Sequence, residues 1–168
     1  MTDQVQHPVV YLALGSNLGD RAANLRAAVD ALAPYVAVAH VSALYETEPA
    51  YVTDQPRFLN AALVGSTALE PHELLVKLKN IEHSMGRVAG ERFGPRLIDL
   101  DILVYGELLL VTPELTLPHP RLAERPFVLV PLAEIAPDLV LPGLSTTVAA
   151  LAAQAHGNGD IIARIGAF

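Results

Sequence analysis

Apolar positions recur along the chain in two rhythms, one of period two and one of period near 3.6, and turn residues mark where each gives way to the other. Val9-Val10-Tyr11-Leu12-Ala13-Leu14 is a short apolar run closed by Gly15-Ser16-Asn17, which predicts a buried strand entering a turn. Past Asp20, a residue type that caps helices, Leu25, Ala28, Val29 and Leu32 repeat at helical spacing until Pro34 ends the pattern. Val36 to Tyr45 and Phe58 to Val64 suit strands, and the Pro-bearing connection from Glu46 to Pro56 is long enough to cover a site. Pro71 opens a second amphipathic helix with Leu74, Leu78, Ile81 and Met85 on one stripe, closed by Gly86. Leu97 to Tyr105 reads as another strand, which Gly106 turns into a short return over Leu108 to Val111.

This order, βαββαβ, predicts an α+β, ferredoxin-like sandwich with two helices on one face of a sheet and the other face free for loops and ligands. From Pro118 the chain is punctuated by proline, with short extra C-terminal helices expected after Pro126 and from Ser145 to Ala155, closed by Gly157, and a last apolar stretch at Ile161-Ile162. Residues 1–168 read as a single domain, residues 1–8 as a flexible N-terminal extension.

Composition narrows the chemistry. Half the chain is hydrophobic (52%), ample for one core, and no apolar run reaches the roughly 20 residues a membrane span needs. A cytoplasmic protein with no membrane partner is expected. Without cysteine there is no thiolate metal site and no thiol nucleophile. A formal charge of −7 argues against a nucleic-acid partner, because phosphate neutralisation needs a basic surface. All cationic side chains except Lys77 and Lys79 are Arg, and Arg87, Arg92, Arg96, Arg121 and Arg125 cluster in one stretch. The planar guanidinium suits phosphate or carboxylate oxygens, so the cluster reads either as an anion pocket or as surface ion pairing.

The segment Gly94-Pro95-Arg96-Leu97-Ile98-Asp99-Leu100-Asp101-Ile102-Leu103 carries the most chemistry. Strand alternation puts Ile98, Leu100, Ile102 and Val104 on one face and Leu97, Asp99, Asp101 and Leu103 on the other. The two carboxylates are then roughly 6.6 Å apart along an otherwise apolar strand. Arg96 can pair with one of them. Two readings remain: a magnesium site, completed by water and phosphate oxygens, or an exposed edge with two solvated acids. His119 is framed by Pro118 and Pro120, which constrain the backbone around its ring, and reads as a phosphate donor or as a loop histidine without a role. Gly15-Ser16-Asn17-Leu18-Gly19 matches no P-loop or dinucleotide fingerprint and reads as a tight turn.

Together, Ala13 to Gly19, Asp54 to Ala61, Gly86-Arg87, Gly94 to Asp101 and Pro118-His119-Pro120 resemble the 6-hydroxymethyl-7,8-dihydropterin pyrophosphokinase family, in family order and over about Val9 to Pro142. The resemblance implies a ferredoxin-like monomer acting in folate biosynthesis, with ATP and hydroxymethyl dihydropterin as substrates, AMP as a product and two Mg²⁺ ions bound with ATP. It implies Asp99 and Asp101 as metal ligands, Arg87 and Arg96 as catalytic phosphate braces, and Arg92, Ile102, Thr116 and His119 on the nucleotide. Phe93 and Phe127 would stack on the pterin and Asn60 would read its polar edge, with Thr47, Pro49 and Phe58 lining the pocket. Phe93 stands where many members carry Trp, and Pro120 where some carry Tyr. The loops Glu46 to Pro56 and Arg87 to Arg96 are expected to order upon ligand binding. Competing classes are a metal-dependent nucleotidyl- or glycosyl-transferase and a non-catalytic ferredoxin-like binding module.

Overall fold

The computed structural model describes residues 5–86, 90 and 92–168; the first four residues of the expected extension lie outside them. Strand Val9–Ser16 (β1) leads into helix Arg21–Leu32 (α1), then Ala37–Val41 (β2), Leu44–Thr47 (β3), Phe58–Ser66 (β4), helix Pro71–Ser84 (α2) and Asp99–Tyr105 (β5). The hairpin strands Leu110–Val111 (β6) and Thr116–Leu117 (β7) follow, then helices Pro126–Ile135 (α3) and Val148–Gln154 (α4), and strand Ile161–Gly166 (β8). The main sheet runs β5-β1-β4-β3-β8, with β2 also on β4, and its pairings are antiparallel. This is the expected ferredoxin-like core, with its second strand in two pieces.

The break has a local cause. At Ser42 the backbone N–H donates to the Ala62 carbonyl (2.8 Å), while the Ala62 N–H donates to the Ser42 hydroxyl (2.9 Å). A side chain thus replaces a backbone acceptor, and the chain bends from β2 onto β3 without leaving β4. The helices begin as their caps require. Asp20 Oδ1 accepts from the Ala23 N–H (3.1 Å) at the start of α1, and Glu70 and Glu73 form a reciprocal capping box ahead of α2.

Both helices lie on one face. Leu25, Ala28 and Leu32 of α1 and Leu74, Leu78 and Ile81 of α2 pack on Val10, Leu12 and Leu14, on Leu59, Ala61 and Leu63, and on Leu100 and Ile102. Each fully buried leucine contributes about 1.5–3 kcal/mol from removal of apolar surface. The opposite face departs from expectation, because it is not left free. Val128, Leu129 and Leu132 of α3 and Val148 of α4 cover Ala62, Leu103 and Val104. The end of that face nearest Gly15, Asn60 and Asp99 opens into a cavity.

Val104 is a second correction. Leu12 pairs with Ile102 but Tyr11 with Val104, so Leu103 is the extra residue of a bulge. Leu103 and Val104 therefore both pack under α3 and α4, and Tyr105 returns to the α1–α2 side. The return expected after Gly106 also differs: β6 pairs with β7 rather than with β5. Beside β5 runs the segment after Pro118, whose His119 N–H donates to the Leu103 carbonyl (2.9 Å). Ile161-Ile162 begins β8, a strand added to β3. No helix among the described residues is long and apolar enough to cross a membrane.

Candidate active site

A cavity of about 560 Å³ opens at the uncovered end of the sheet. Strand alternation builds its floor, since Asp99 and Asp101 of β5, Gly15 of β1, Phe58 and Asn60 of β4 and Thr47 of β3 all line it. The walls come from three segments: Glu48, Ala50 and Tyr51; Arg92 to Arg96; and His119, Pro120, Arg121, Arg125 and Phe127, where the chain enters α3.

Charge on the floor is unbalanced. Burial first, and then the neighbouring Asp99 carboxylate, push the Asp101 carboxyl up to about 7, Lys79 and Arg125 offsetting this only in part. Asp99 has a direct cation, Arg96 Nη1 at 3.1 Å. The Arg96 side chain is itself held, with Nε donating to the Gly94 carbonyl (3.0 Å). Its backbone N–H donates to Asn17 Oδ1 (2.8 Å), and its carbonyl accepts from the Asn17 N–H (3.1 Å). Asn17 Nδ2 in turn donates to Gln55 Oε1 (3.0 Å) and the Pro56 carbonyl (2.9 Å), and Gln55 Nε2 donates to the Phe93 carbonyl (2.7 Å). Asn17 thereby ties the end of β1 to both loops that wall the cavity.

Gly15 is not part of a turn, as its glycine-rich setting suggested; it is a residue of β1. A Cβ there would lie 2.6 Å from Asn60 Oδ1, so only glycine lets the asparagine lie across the strand. Asn60 Nδ2 donates to Thr47 Oγ1 (2.8 Å), which fixes the buried amide. Gly19, with φ +66°, makes the turn itself.

Burial first, then the positive charge of Arg125, lowers the His119 pKa to about 4, so its ring is neutral at neutral pH. Its Nδ1 accepts from the Arg121 N–H (3.2 Å), an arrangement that puts the proton on Nε2 as a donor. Arg125 is 8% exposed, and its Nε donates to the Tyr51 hydroxyl (3.1 Å).

Of the residues the sequence singled out, Thr47, Phe58, Asn60, Arg92, Phe93, Arg96, Asp99, Asp101, His119 and Phe127 line this one cavity. Pro49, Ile102 and Thr116 are not among its lining residues. Ile102 sits in the core between sheet and helices, on the face opposite the two acids, and Thr116 belongs to β7. Arg87 lies outside the described residues. Tyr51, Lys79, Arg121 and Arg125 also line it and had been given no individual role. The arginine cluster already pointed to two of them, and an aromatic residue in the long Pro-bearing loop was the available signal for Tyr51. Lys79 left no signal, being one polar residue on the exposed side of α2.

Residues 11–137 match the family described as 7,8-dihydro-6-hydroxymethylpterin-pyrophosphokinase (HPPK). A 2-amino-4-hydroxy-6-hydroxymethyldihydropteridine pyrophosphokinase of Methylorubrum extorquens is 53% identical over 135 residues, covering 79% of this chain and 85% of the relative. A mitochondrial folate synthesis bifunctional protein of Pisum sativum is 52% identical over 133 residues. The matched part spans 79% of this chain but only 26% of that larger protein. In backbone shape the chain is similar to Plasmodium falciparum HPPK-DHPS, with a TM-score of 0.75 at 17% identity, over 91% of this chain and 46% of the other, a likeness of fold. On the strength of the match across most of its length and of the half-identical bacterial relative, the chain belongs to the 7,8-dihydro-6-hydroxymethylpterin-pyrophosphokinase family.

Proposed function

We propose that this protein transfers the terminal pyrophosphoryl group of ATP to the hydroxyl of 6-hydroxymethyl-7,8-dihydropterin, releasing AMP and the pterin diphosphate, a step of folate biosynthesis. The observation that carries the reading is the meeting of two unlike half-sites in one cavity. Two acids, four arginines and a neutral histidine line it together with Phe93, Phe127 and Asn60.

The floor fits magnesium. Asp99 and Asp101 are hard oxygen donors, and the raised pKa of Asp101 marks negative charge that Lys79 and Arg125 do not fully offset. Among the described residues no group of three or more His, Cys, Asp or Glu is placed to hold a metal. Two carboxylates with water and substrate phosphate oxygens are the shell Mg²⁺ ordinarily takes. Two such ions, when bound, would neutralise the polyphosphate and leave its β-phosphorus open to an incoming hydroxyl.

The protein's own part is alignment and charge. Phosphoryl-type transfer needs little covalent help, so fixed cations where negative charge builds supply the catalysis. Arg96, braced by Gly94 and Asn17, stands beside the acid pair. Arg87 would join it on the phosphates. His119 Nε2–H offers a neutral donor, and Arg92 a further cation for the triphosphate. Phe93 and Phe127 would hold a flat ring by stacking, and Asn60, locked on Thr47, would meet its polar edge. Closed walls would exclude water, which otherwise competes with the pterin hydroxyl.

Product analysis tests this. Purified protein with ATP, Mg²⁺ and the reduced hydroxymethyl pterin should yield AMP and pterin diphosphate in equal amounts, and chelation of the metal should stop both. Release of ADP, or of pyrophosphate with a nucleotidylated acceptor, would assign the fold to another transfer reaction.

A further inference from the structure

Phe127 is the second residue of α3 and lines the cavity, and what stands behind its ring comes from the far end of the chain. The turn from Gly157 to Asp160 precedes β8 and lies beyond residues 11–137, which carry the family match. It is closed locally, the Gly157 N–H donating to Asp160 Oδ1 (2.8 Å). Gly159 is buried within it, while Gly157 and Asp160 are exposed. A Cβ at Gly159 would overlap Phe127 Cδ1 and lie 3.1 and 3.2 Å from its Cγ and Cε1. Gly159 is not among the cavity's lining residues, so the Phe127 ring has the cavity on one side and bare backbone on the other.

The same turn reaches a second part of the wall. The Asp160 carbonyl accepts from the Glu48 N–H (2.9 Å), and Ile161 pairs with Thr47; Glu48 and Thr47 both line the cavity. Glycine at 159 meets two separate demands. Its φ of +76° is left-handed, which a glycine adopts without strain, and its close approach to the ring leaves no room for a side chain. Gly157, with φ +91°, shares only the first demand, because nothing lies within 4 Å of a Cβ there.

We infer that Gly159 is a positioning residue for the acceptor substrate: by presenting backbone rather than a side chain behind Phe127, it sets how far that ring stands back and so the width of the slot for a flat bicyclic ring. The inference rests on the pterin reading above. Any side chain at 159 must move the ring, and the open side of the ring is the cavity, so the slot narrows. The acid pair is spared, since the strand order β5-β1-β4-β3-β8 puts Asp99 and Asp101 at the opposite edge of the sheet from this turn. A defect at Gly159 should fall on the acceptor and leave the nucleotide untouched.

Steady-state AMP formation with Mg²⁺, varying each substrate in turn, separates ring position from a general defect. Gly159→Ala and Gly159→Asn both add the Cβ, and asparagine also accepts a positive φ. Each should raise KM for the reduced hydroxymethyl pterin at least about five-fold while KM for ATP stays within about two-fold of wild type. Gly157→Ala, which takes on the strained φ without meeting the ring, should leave both constants at their wild-type values. In a Phe127→Ala background, where the ring is gone, Gly159→Ala should add no further rise. An unchanged pterin KM, an equal rise for both substrates, the same rise in Gly157→Ala, or an additive rise without the ring would each overturn the inference. So would loss of the fold in both Gly159 variants beside a folded Gly157→Ala, since the contact would then hold the fold and not the slot. With an active wild type these outcomes sink the role of Gly159 alone; a wild type that makes no AMP sinks the pterin reading and this inference with it.

Discussion

The two faces of β5 differ in what a substitution there should cost. Leu100 and Ile102 point into the helix-covered core, while Asp99 and Asp101, each one residue away, line the cavity floor. One face contributes stability by excluding water; the other carries a carboxyl whose ionised form the ligand-free fold disfavours, since burial and then the Asp99 charge push Asp101 up to about 7. Stability and chemistry are separated by strand alternation alone, so adjacent substitutions should have opposite signatures.

The largest effect expected is on turnover. Asp101→Ala and Asp99→Ala should each lower AMP formation by at least about 100-fold, in line with loss of a group that stabilises transition-state charge, without lowering the melting temperature of the ligand-free protein. A variant that keeps near-normal turnover, or that unfolds, breaks the division between faces. Leu100→Ala should do the reverse and lose about 2–5 kcal/mol in denaturant unfolding, while turnover per folded molecule stays at the wild-type level.

A smaller effect is expected at Gly15, which belongs to the cavity face although it has no side chain. An alanine Cβ would sit 2.6 Å from Asn60 Oδ1 and turn the amide away. Gly15→Ala should therefore raise KM for the pterin roughly ten-fold, about 1.4 kcal/mol of binding, with KM for ATP unchanged. Equal increases for both substrates would show a general distortion instead.

The smallest effect sharpens the electrostatic side. Asp101 titrates near 7 in the folded chain against a model-compound value of 3.8, so the folded state holds an extra proton between these values. Its stability contribution falls as pH rises, and the loss is complete above about 7. His119, lowered from 6.5 to about 4, works in the opposite sense, because the unfolded chain takes up its proton first and stability falls as pH drops below 6.5. Between pH 6.5 and 7.5 Asp101 should dominate. Asp101→Asn should flatten the decline of ligand-free stability across that interval, as followed by thermal melts, and an unchanged slope would place the perturbed group elsewhere.

Much of the covered face was legible from periodicity. Leu25, Ala28 and Leu32 and then Leu74, Leu78 and Ile81 recur at helical spacing because a helix presents one stripe to a sheet, and Asp20, Pro71 and Gly86 mark the ends through local backbone chemistry. What periodicity missed depends on partners far along the chain. Ser42 breaks the second strand through Ala62, and the bulge at Leu103 turns Val104 to the other face through register with β1. The covering of the second face by α3 and α4 arises the same way, from segments that alternation on the sheet strands cannot identify. The cavity floor could be read from Asp99, Asp101 and Asn60, whose motifs are local. Its walls could not. Arg125 and Tyr51 meet across 74 residues, and Gln55 reaches Phe93 across 38, contacts that only the assembled loops create.

The account turns on the acid pair as the seat of a phosphate-bound cation. Calorimetric titration of Mg²⁺ into the protein with a non-hydrolysable ATP analogue, comparing wild type with Asp99→Asn and Asp101→Asn, tests that directly. Saturable binding by the wild type, weakened roughly ten-fold or more in each variant, is the predicted result. Binding of equal strength in all three proteins would contradict it.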